Sequence, residues 1–379
     1  MRQKILFLIS SLSSGGAERV AATLCNAWAQ RGDEVTLVPT FSGGGKPFYQ
    51  LHPNIDLIYL SERVGVVQGG GKRYGARLRA LRQMVKEKKP DVVISFLPNV
   101  NIAALAATAF TGVPCIVCER SDPSIQPVGW VWKMACQWLY RHADWVTVQT
   151  EAVQASIHQV YGGLERVAVV PNPLPMDVLG WQANHLEQEN TGRKTLLSLG
   201  RLSEEKQVSS IIQVFAQLAP KFPDWDLAIY GEGPQRAKLE AQIVRLGLGQ
   251  RIFLRGRTHA PWQVMSEADA FVMASRFEGF PNALLEAMGV GLPCVSTDCP
   301  SGPYEMSRGG IDALLVGVHD RDALRSALAQ LMGDAALRHN LGRHARASVI
   351  DRYALEAVLN VWDGLFAAVS RSTPTVVQA

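Results

Sequence analysis

Two glutamates, Glu278 and Glu286, stand eight residues apart in RFEGFPNALLEAM, residues 276–288. The first lies in a bend marked by Gly279 and Pro281. The second lies about one turn into an apolar, helix-like run. Asn282 is placed to cap that run, Ala283 to Met288, by accepting from a backbone N–H. A helix start offers unpaired N–H groups and the positive end of the helix dipole, which suit a phosphate. A carboxylate accepts two hydroxyl hydrogen bonds well, as from a ribose diol. The spacing therefore suits a sugar–diphosphate–nucleoside, with Glu286 at the ribose, the helix start at the phosphates and Glu278 at hydroxyls beyond them.

Other loops carry compatible groups. Arg201 and Lys206 in SLGRLSEEKQV could clamp a diphosphate, the first as a fork and the second as a point charge; a solvated surface pair would use the same residues. Gly231 and Gly233 in IYGEGP permit a tight turn beneath a ligand, and Gly256 marks another turn in FLRGRT. Gly15 and Gly16 follow the first apolar run, where backbone N–H groups could approach an anion; packing explains a bare glycine pair equally well. This turn is not G-x-G-x-x-G, and no acid follows at the distance that binds an adenosine ribose, which argues against a dinucleotide dehydrogenase. The eight His are scattered, and Cys115 and Cys118, lacking a second pair, read as core thiols; a reducing compartment fits the six cysteines. No metal site and no cofactor is expected.

These loops need a frame to hold them. A chain of 379 residues with 47% hydrophobic and 19% charged residues suits two globular cores. Apolar β-branched runs alternate with helical patterns: KILFLIS, EVTLVPT, IDLIYL, DVVISFL, PCIVC, DWVTVQT and RVAVVPN, then KTLLSLG, DLAIYG, RIFLRG, AFVMAS, PCVST and ALLVG. Alternating strand and helix means parallel sheets covered on both faces, an α/β fold. Residues 172–193 break the period and read as a linker. The expected division is therefore a first parallel-sheet domain over 1–171, a second over 194–351 and a closing helix over 352–379 that packs back toward the first. Two such domains should face each other across a crevice lined by loops at the carboxyl ends of the strands. The N-terminal apolar run is short and lacks a cleavage site, so it reads as a buried strand. The uncharged stretch after Asp91 is broken by Pro98, Asn99, Asn101 and Gly112–Pro114, and reads as strand, helix, strand with no membrane span.

Taken together, GGAER (15–19), PNP (171–173), GRLSEEKQ (200–207), GEGP (231–234), RGR (255–257), EGFPNALLEAM (278–288) and SGPYEM (301–306) occur in the order found in the retaining glycosyltransferases of family 4. The chain resembles that family over nearly its whole length. The resemblance implies the two-domain GT-B fold and a role for each matching position. Arg201 and Lys206 would hold the donor diphosphate and Glu286 the ribose. Glu278, with the backbone of Gly279 and Phe280, would hold the donor sugar. Asn282 and Ala283 would meet the phosphate, Gly231 would line the donor site, Gly256 and Arg257 would lie by the base, and Gly15 and Gly16 would line the crevice. Where family members often carry a histidine near the reacting centre, this chain reads VCERSDPS, and Arg120 is expected in its place. The implied mechanism is metal-free, with front-face attack and the leaving phosphate taking the acceptor proton.

The charge is uneven. Residues 1–175 hold 18 Lys and Arg against 12 Asp and Glu, the remainder 20 against 22. The excess concentrates at 72–89, KRYGARLRALRQMVKEKK, with eight cations and one acid. Such a helix suits an anionic membrane surface or a lipid diphosphate, and equally a solvated face. In GWVWKMACQWLYRHADW (129–145), Val131, Met134, Ala135, Trp138 and Leu139 are read as a core stripe, although Trp and Tyr also favour membrane interfaces. The partners expected are a nucleotide sugar, UDP-linked first, and a glycan or polyprenyl-diphosphate acceptor at an anionic membrane surface, with no nucleic acid; the expected place is the cytoplasm or the cytoplasmic membrane face. The alternatives are a mannosyltransferase using GDP-mannose, a non-hydrolysing nucleotide-sugar epimerase and a non-catalytic binding module.

Overall fold

The structure is a computed structural model and describes residues 2–42, 44–64, 70–125, 129–184 and 192–372. It divides into two units, Met1–Pro173 with Val358–Ala379, and Leu174–Ala357.

The first unit holds a parallel sheet of strands β1 (Lys4–Ile9), β2 (Glu34–Pro39), β3 (Asp56–Leu57), β4 (Val92–Phe96), β5 (Cys115–Cys118), β6 (Trp145–Val148) and β7 (Val167–Val169), in the order β3-β2-β1-β4-β5-β6-β7. Helices α1 (Gly16–Gln30), α2 (Leu60–Val64), α3 (Gly70–Lys88), α4 (Pro98–Thr108), α5 (Trp130–Leu139) and α6 (Glu151–Tyr161) connect them. The second unit repeats the plan with β8 (Lys194–Leu199), β9 (Trp225–Tyr230), β10 (Ile252–Gly256), β11 (Ala270–Met273), β12 (Cys294–Thr297) and β13 (Leu314–Val316), ordered β10-β9-β8-β11-β12-β13 and again parallel. Its helices are α7 (Val208–Leu218), α8 (Arg236–Arg245), α9 (Pro261–Ser266), α10 (Asn282–Val290), α11 (Pro303–Met306), α12 (Arg321–Gly333) and α13 (Ala335–Tyr353).

Both sheets follow from apolar runs buried on both faces, as β1, β4 and β12 show. Each has a topological switch point, between β1 and β4 and between β8 and β11, where the strand order reverses and the following loops splay apart. The last helix, α14 (Leu355–Ser372), buries Val358, Leu359, Trp362, Leu365 and Phe366. Trp362 and Phe366 each lie 5.6 Å from the Trp28 ring of α1. All six cysteines are buried and free. No described helix is long and apolar enough to cross a membrane.

Three local expectations change. IDLIYL pairs only at Asp56 and Leu57, because β3 is an edge strand and Leu60 already starts α2. From Leu174 on, the expected linker belongs to the second unit: Val178 and Ala183 are buried in its core, and the Ala183 N–H donates to Val290 O at 2.9 Å. Residues 185–191 lie outside the described residues. The third change is α5. Cys136 is buried and Ala135 and Leu139 are half-buried, but Val131, Met134 and Trp138 of the expected core stripe are exposed, as are Trp130 and Trp132. Those residues face outward because α4 and α6, which flank α5, cover only its other side.

Candidate active site

The second unit brings three predicted residues, Arg201, Lys206 and Glu278, together with Ser275 at its switch point. The loop after β8 carries Arg201 and Lys206, and the loop after β11 carries Ser275 and Glu278. A pocket there is lined by Gly200, Arg201, Lys206, Met273 and Ser275. Lys206 Nζ lies 2.6 Å from Glu278 Oε1, which also accepts from Ser275 Oγ at 2.6 Å. The two residues that sequence reasoning gave to different parts of the donor are thus one ion pair, with the Glu278 side chain 9% exposed and that of Lys206 25%. Arg201 is exposed beside it. The α7 start depends on Gln207 in the left-handed region at φ 48°, which ends the short turn carrying Lys206.

Two glycines hold this loop by close approach. A Cβ at Gly231 would fall 1.8 Å from the Gly200 carbonyl oxygen, and one at Gly233 would fall 2.3 Å from that of Leu202. The Gly231 N–H donates to Gly256 O at 2.7 Å, and the Leu202 N–H to Glu232 O at 3.0 Å. Gly231 and Gly256 therefore join three strand-end loops into one platform. Arg257 follows Gly256 and is exposed.

The Glu278 loop is pinned from the next strand. Ser301 Oγ donates to the Glu278 carbonyl at 2.6 Å, and Thr297 Oγ1 to that of Ser275 at 2.6 Å. Gly302 lies so close to Pro281 that a Cβ would stand 2.4 Å from its Cδ. Gly279 is half-buried in this loop. The Phe280 ring is buried against Tyr353, so this position offers its backbone, not its side chain.

The expected Asn282 cap is corrected. The helix starts at Asn282 itself, Pro281 occupies the N-cap, and no side chain caps it. The first ladder bond runs from the Leu285 N–H to Pro281 O, so the Ala283 and Leu284 N–H groups precede the ladder, as at any helix start. Glu286 is 2% exposed, and Trp262 Nε1 on α9 donates to its Oε2 at 3.1 Å. Sequence reasoning missed Trp262, Ser275 and Ser301: Ser275 lies 3 positions before Glu278 but is too common a residue to stand out, while Trp262 lies 24 positions from Glu286 and Ser301 23 from Glu278, so that only the fold brings them to the acids.

In the first unit, Arg120 lies in the loop after β5 with its guanidinium over the Phe96 ring, 4.1 Å to the centroid, and donates to Asn172 Oδ1. Burial lowers its pKa to about 10. Glu119 beside it accepts from Tyr140 OH, which accepts from Asn101 Nδ2 at 3.0 Å; burial pushes the Glu119 carboxyl up to about 7. At the Gly15–Gly16 turn, the helix start already meets an anion, since Glu18 folds back and accepts from Ser11 Oγ at 2.8 Å.

The model described as Glycosyltransferase Family 4 matches residues 14–178, and that described as Glycosyl transferases group 1 matches residues 183–348. The chain belongs to the glycosyltransferases of family 4. It is 27% identical to a Campylobacter jejuni alpha-1,4-N-acetyl-D-galactosaminyltransferase named for a GalNAc–GalNAc–diNAcBac-PP-undecaprenol acceptor, over 97% of this chain and 99% of that one. It is also 27% identical to an exopolysaccharide phosphotransferase of Streptomyces coelicolor, over 96% of this chain but only 40% of that one. Among solved structures, Anabaena HepE in complex with UDP shares 18% identity with a TM-score of 0.80, over 96% of this chain and 100% of that one, and so shares the GT-B fold.

Proposed function

We propose that this glycosyltransferase moves a hexose or N-acetylhexosamine, with retention, from a UDP-sugar to a glycan acceptor carried on a lipid diphosphate in bacterial glycan assembly. The observation that carries the reading is the Lys206–Glu278 pair beside Arg201 at the second unit's switch point. A neutralised cation at 2.6 Å is a place where a diphosphate can take over the charge and release the carboxylate to sugar hydroxyls. The undecaprenol-linked acceptor of the Campylobacter relative supports the acceptor class, and the UDP complex of HepE supports the nucleotide.

In this reaction the bond from C1 to the diphosphate oxygen breaks. The acceptor hydroxyl oxygen bonds C1 on the same face, and its proton passes to the leaving phosphate. Arg201, Lys206 and the α10 start neutralise the growing negative charge without a metal. Glu286, held by Trp262, takes the ribose; Gly256 and Arg257 lie by the base; Arg120 serves the acceptor side. The work is done on the cytoplasmic side, with the basic residues 72–89 toward an anionic membrane.

A thermal-shift panel of nucleotide sugars tests the donor, since a ligand at a hundredfold excess over its Kd stabilises by about 2.7 kcal/mol. UDP-sugars should raise the melting temperature, and transfer should survive EDTA with the product anomer retained. Stabilisation by GDP-mannose alone, or conversion of a UDP-N-acetylhexosamine without any acceptor, would replace this reading by a mannosyltransferase or an epimerase.

A further inference from the structure

We propose that the outer face of α5 seats the first unit on an anionic lipid bilayer, with Trp130, Val131, Met134 and Trp138 entering the zone between headgroups and acyl chains. Trp130, Met134 and Trp138 are 74%, 59% and 63% exposed. Spacings of four residues put Trp130, Met134 and Trp138 on one side of the helix. The opposite side, with Cys136, Ala135 and Leu139, is the one packed on the core of the unit. An exposed patch of this kind marks an interaction surface, and tryptophan is the residue that favours the membrane–water interface.

Charge selects the occupant. From Ser124 to Ala143 the chain has no acid, and from Gly70 to Lys86 it has none either. Lys72, Arg73, Arg79 and Lys86 on α3 and Lys133 and Arg141 beside the aromatic face are exposed. Tyr74 of α3 and Trp132 of α5 stand 6.4 Å apart, centroid to centroid, so the basic helix and the aromatic helix meet along one surface. A second copy of the chain would set these cations against one another. An anionic bilayer satisfies both the cations and the hydrocarbon face. The proposal deepens the reading of a lipid-linked acceptor and rests on it for its purpose. It also divides the labour: α5 inserts, while α3 attracts.

The test uses the full chain, without donor or acceptor, so its outcome is independent of any transfer activity. Co-sedimentation is measured with phosphatidylcholine vesicles with and without phosphatidylglycerol. The parent should bind the anionic vesicles, and brominated lipids should quench its tryptophan fluorescence. The Trp130→Ser/Trp138→Ser variant should keep its melting temperature but lose about tenfold or more of its vesicle affinity at both low and high salt. The Lys72→Gln/Arg73→Gln/Lys133→Gln variant should lose affinity mainly at low salt. No binding by the parent, unquenched fluorescence, or equal binding by the tryptophan variant overturns the proposal. A lipid-free dimer that the tryptophan variant converts to monomer overturns it in favour of self-association.

Discussion

Glu119 and Glu278 are both shielded carboxyls near the carboxyl ends of strands, one in each unit, and each accepts a hydrogen bond from a hydroxyl, Tyr140 or Ser275. They differ in counter-charge. Glu278 has Lys206 at 2.6 Å. Among the described residues no cation pairs with Glu119, because the neighbouring Arg120 guanidinium is spent on Phe96 and Asn172. Burial therefore pushes Glu119 up to about 7. A paired carboxylate can give up its cation to an anionic ligand and turn to hydroxyls, whereas a buried carboxyl that meets a phenol and no cation has nothing to give up. The first arrangement suits a binding site and the second a brace.

Breaking the pair should have the largest effect. Lys206→Ala removes the cation proposed to meet the leaving diphosphate, and turnover should fall by about 10²–10³-fold, with a smaller change in donor affinity. It also strands Glu278, costing about 1–3 kcal/mol of stability, less than for a fully buried pair because Lys206 is part-exposed. Steady-state kinetics and a melting curve check both; an unchanged kcat would remove Lys206 from the chemistry.

The brace predicts a pH effect. A raised carboxyl pKa means that the folded chain keeps a proton that the unfolded chain has lost, between the ordinary 4.5 and about 7. The stability linked to that proton is whole below the ordinary value and lost as pH rises through the folded one, a few kcal/mol at about 1.4 kcal/mol per unit. Glu119→Gln still accepts from Tyr140 but does not ionise. Its melting temperature should gain on the parent between about pH 5 and pH 8, and parallel curves would show that Glu119 does not titrate there.

The smallest effects sharpen the nucleotide end. Glu286→Ala should weaken UDP and UDP-sugar alike by about 1–3 kcal/mol, and Trp262→Phe, which removes only the indole N–H, by about 0.5–1.5 kcal/mol. Calorimetry that finds UDP affinity unchanged in both variants would detach this carboxylate from the ribose.

The sheets were legible because a strand covered on both faces must be apolar throughout, and that signal survives without any partner in view. Their edge was less so: IDLIYL has the composition of a strand, but with only β2 to pair with it leaves after two residues. Lys206 and Glu278 could be proposed as binding residues from their loops, yet their ion pair spans 72 positions and depends on the strand order. The linker was misread because its buried residues Leu174, Val178 and Ala183, set among prolines, Gly180 and polar residues, show no helical or strand period. The α5 stripe was misread because helical spacing shows that a face is apolar, not which way it points.

Trp28 of α1 completes its surroundings with Trp362 and Phe366, more than three hundred residues later in the chain. On a ribosome, the first unit therefore waits. Its sheet can form early, but the indole of Trp28 stays uncovered until the whole second unit and the helix after it have been synthesised. A nascent chain arrested after residue 357 should hold a finished second unit beside an unfinished first, the reverse of the order in which they emerge.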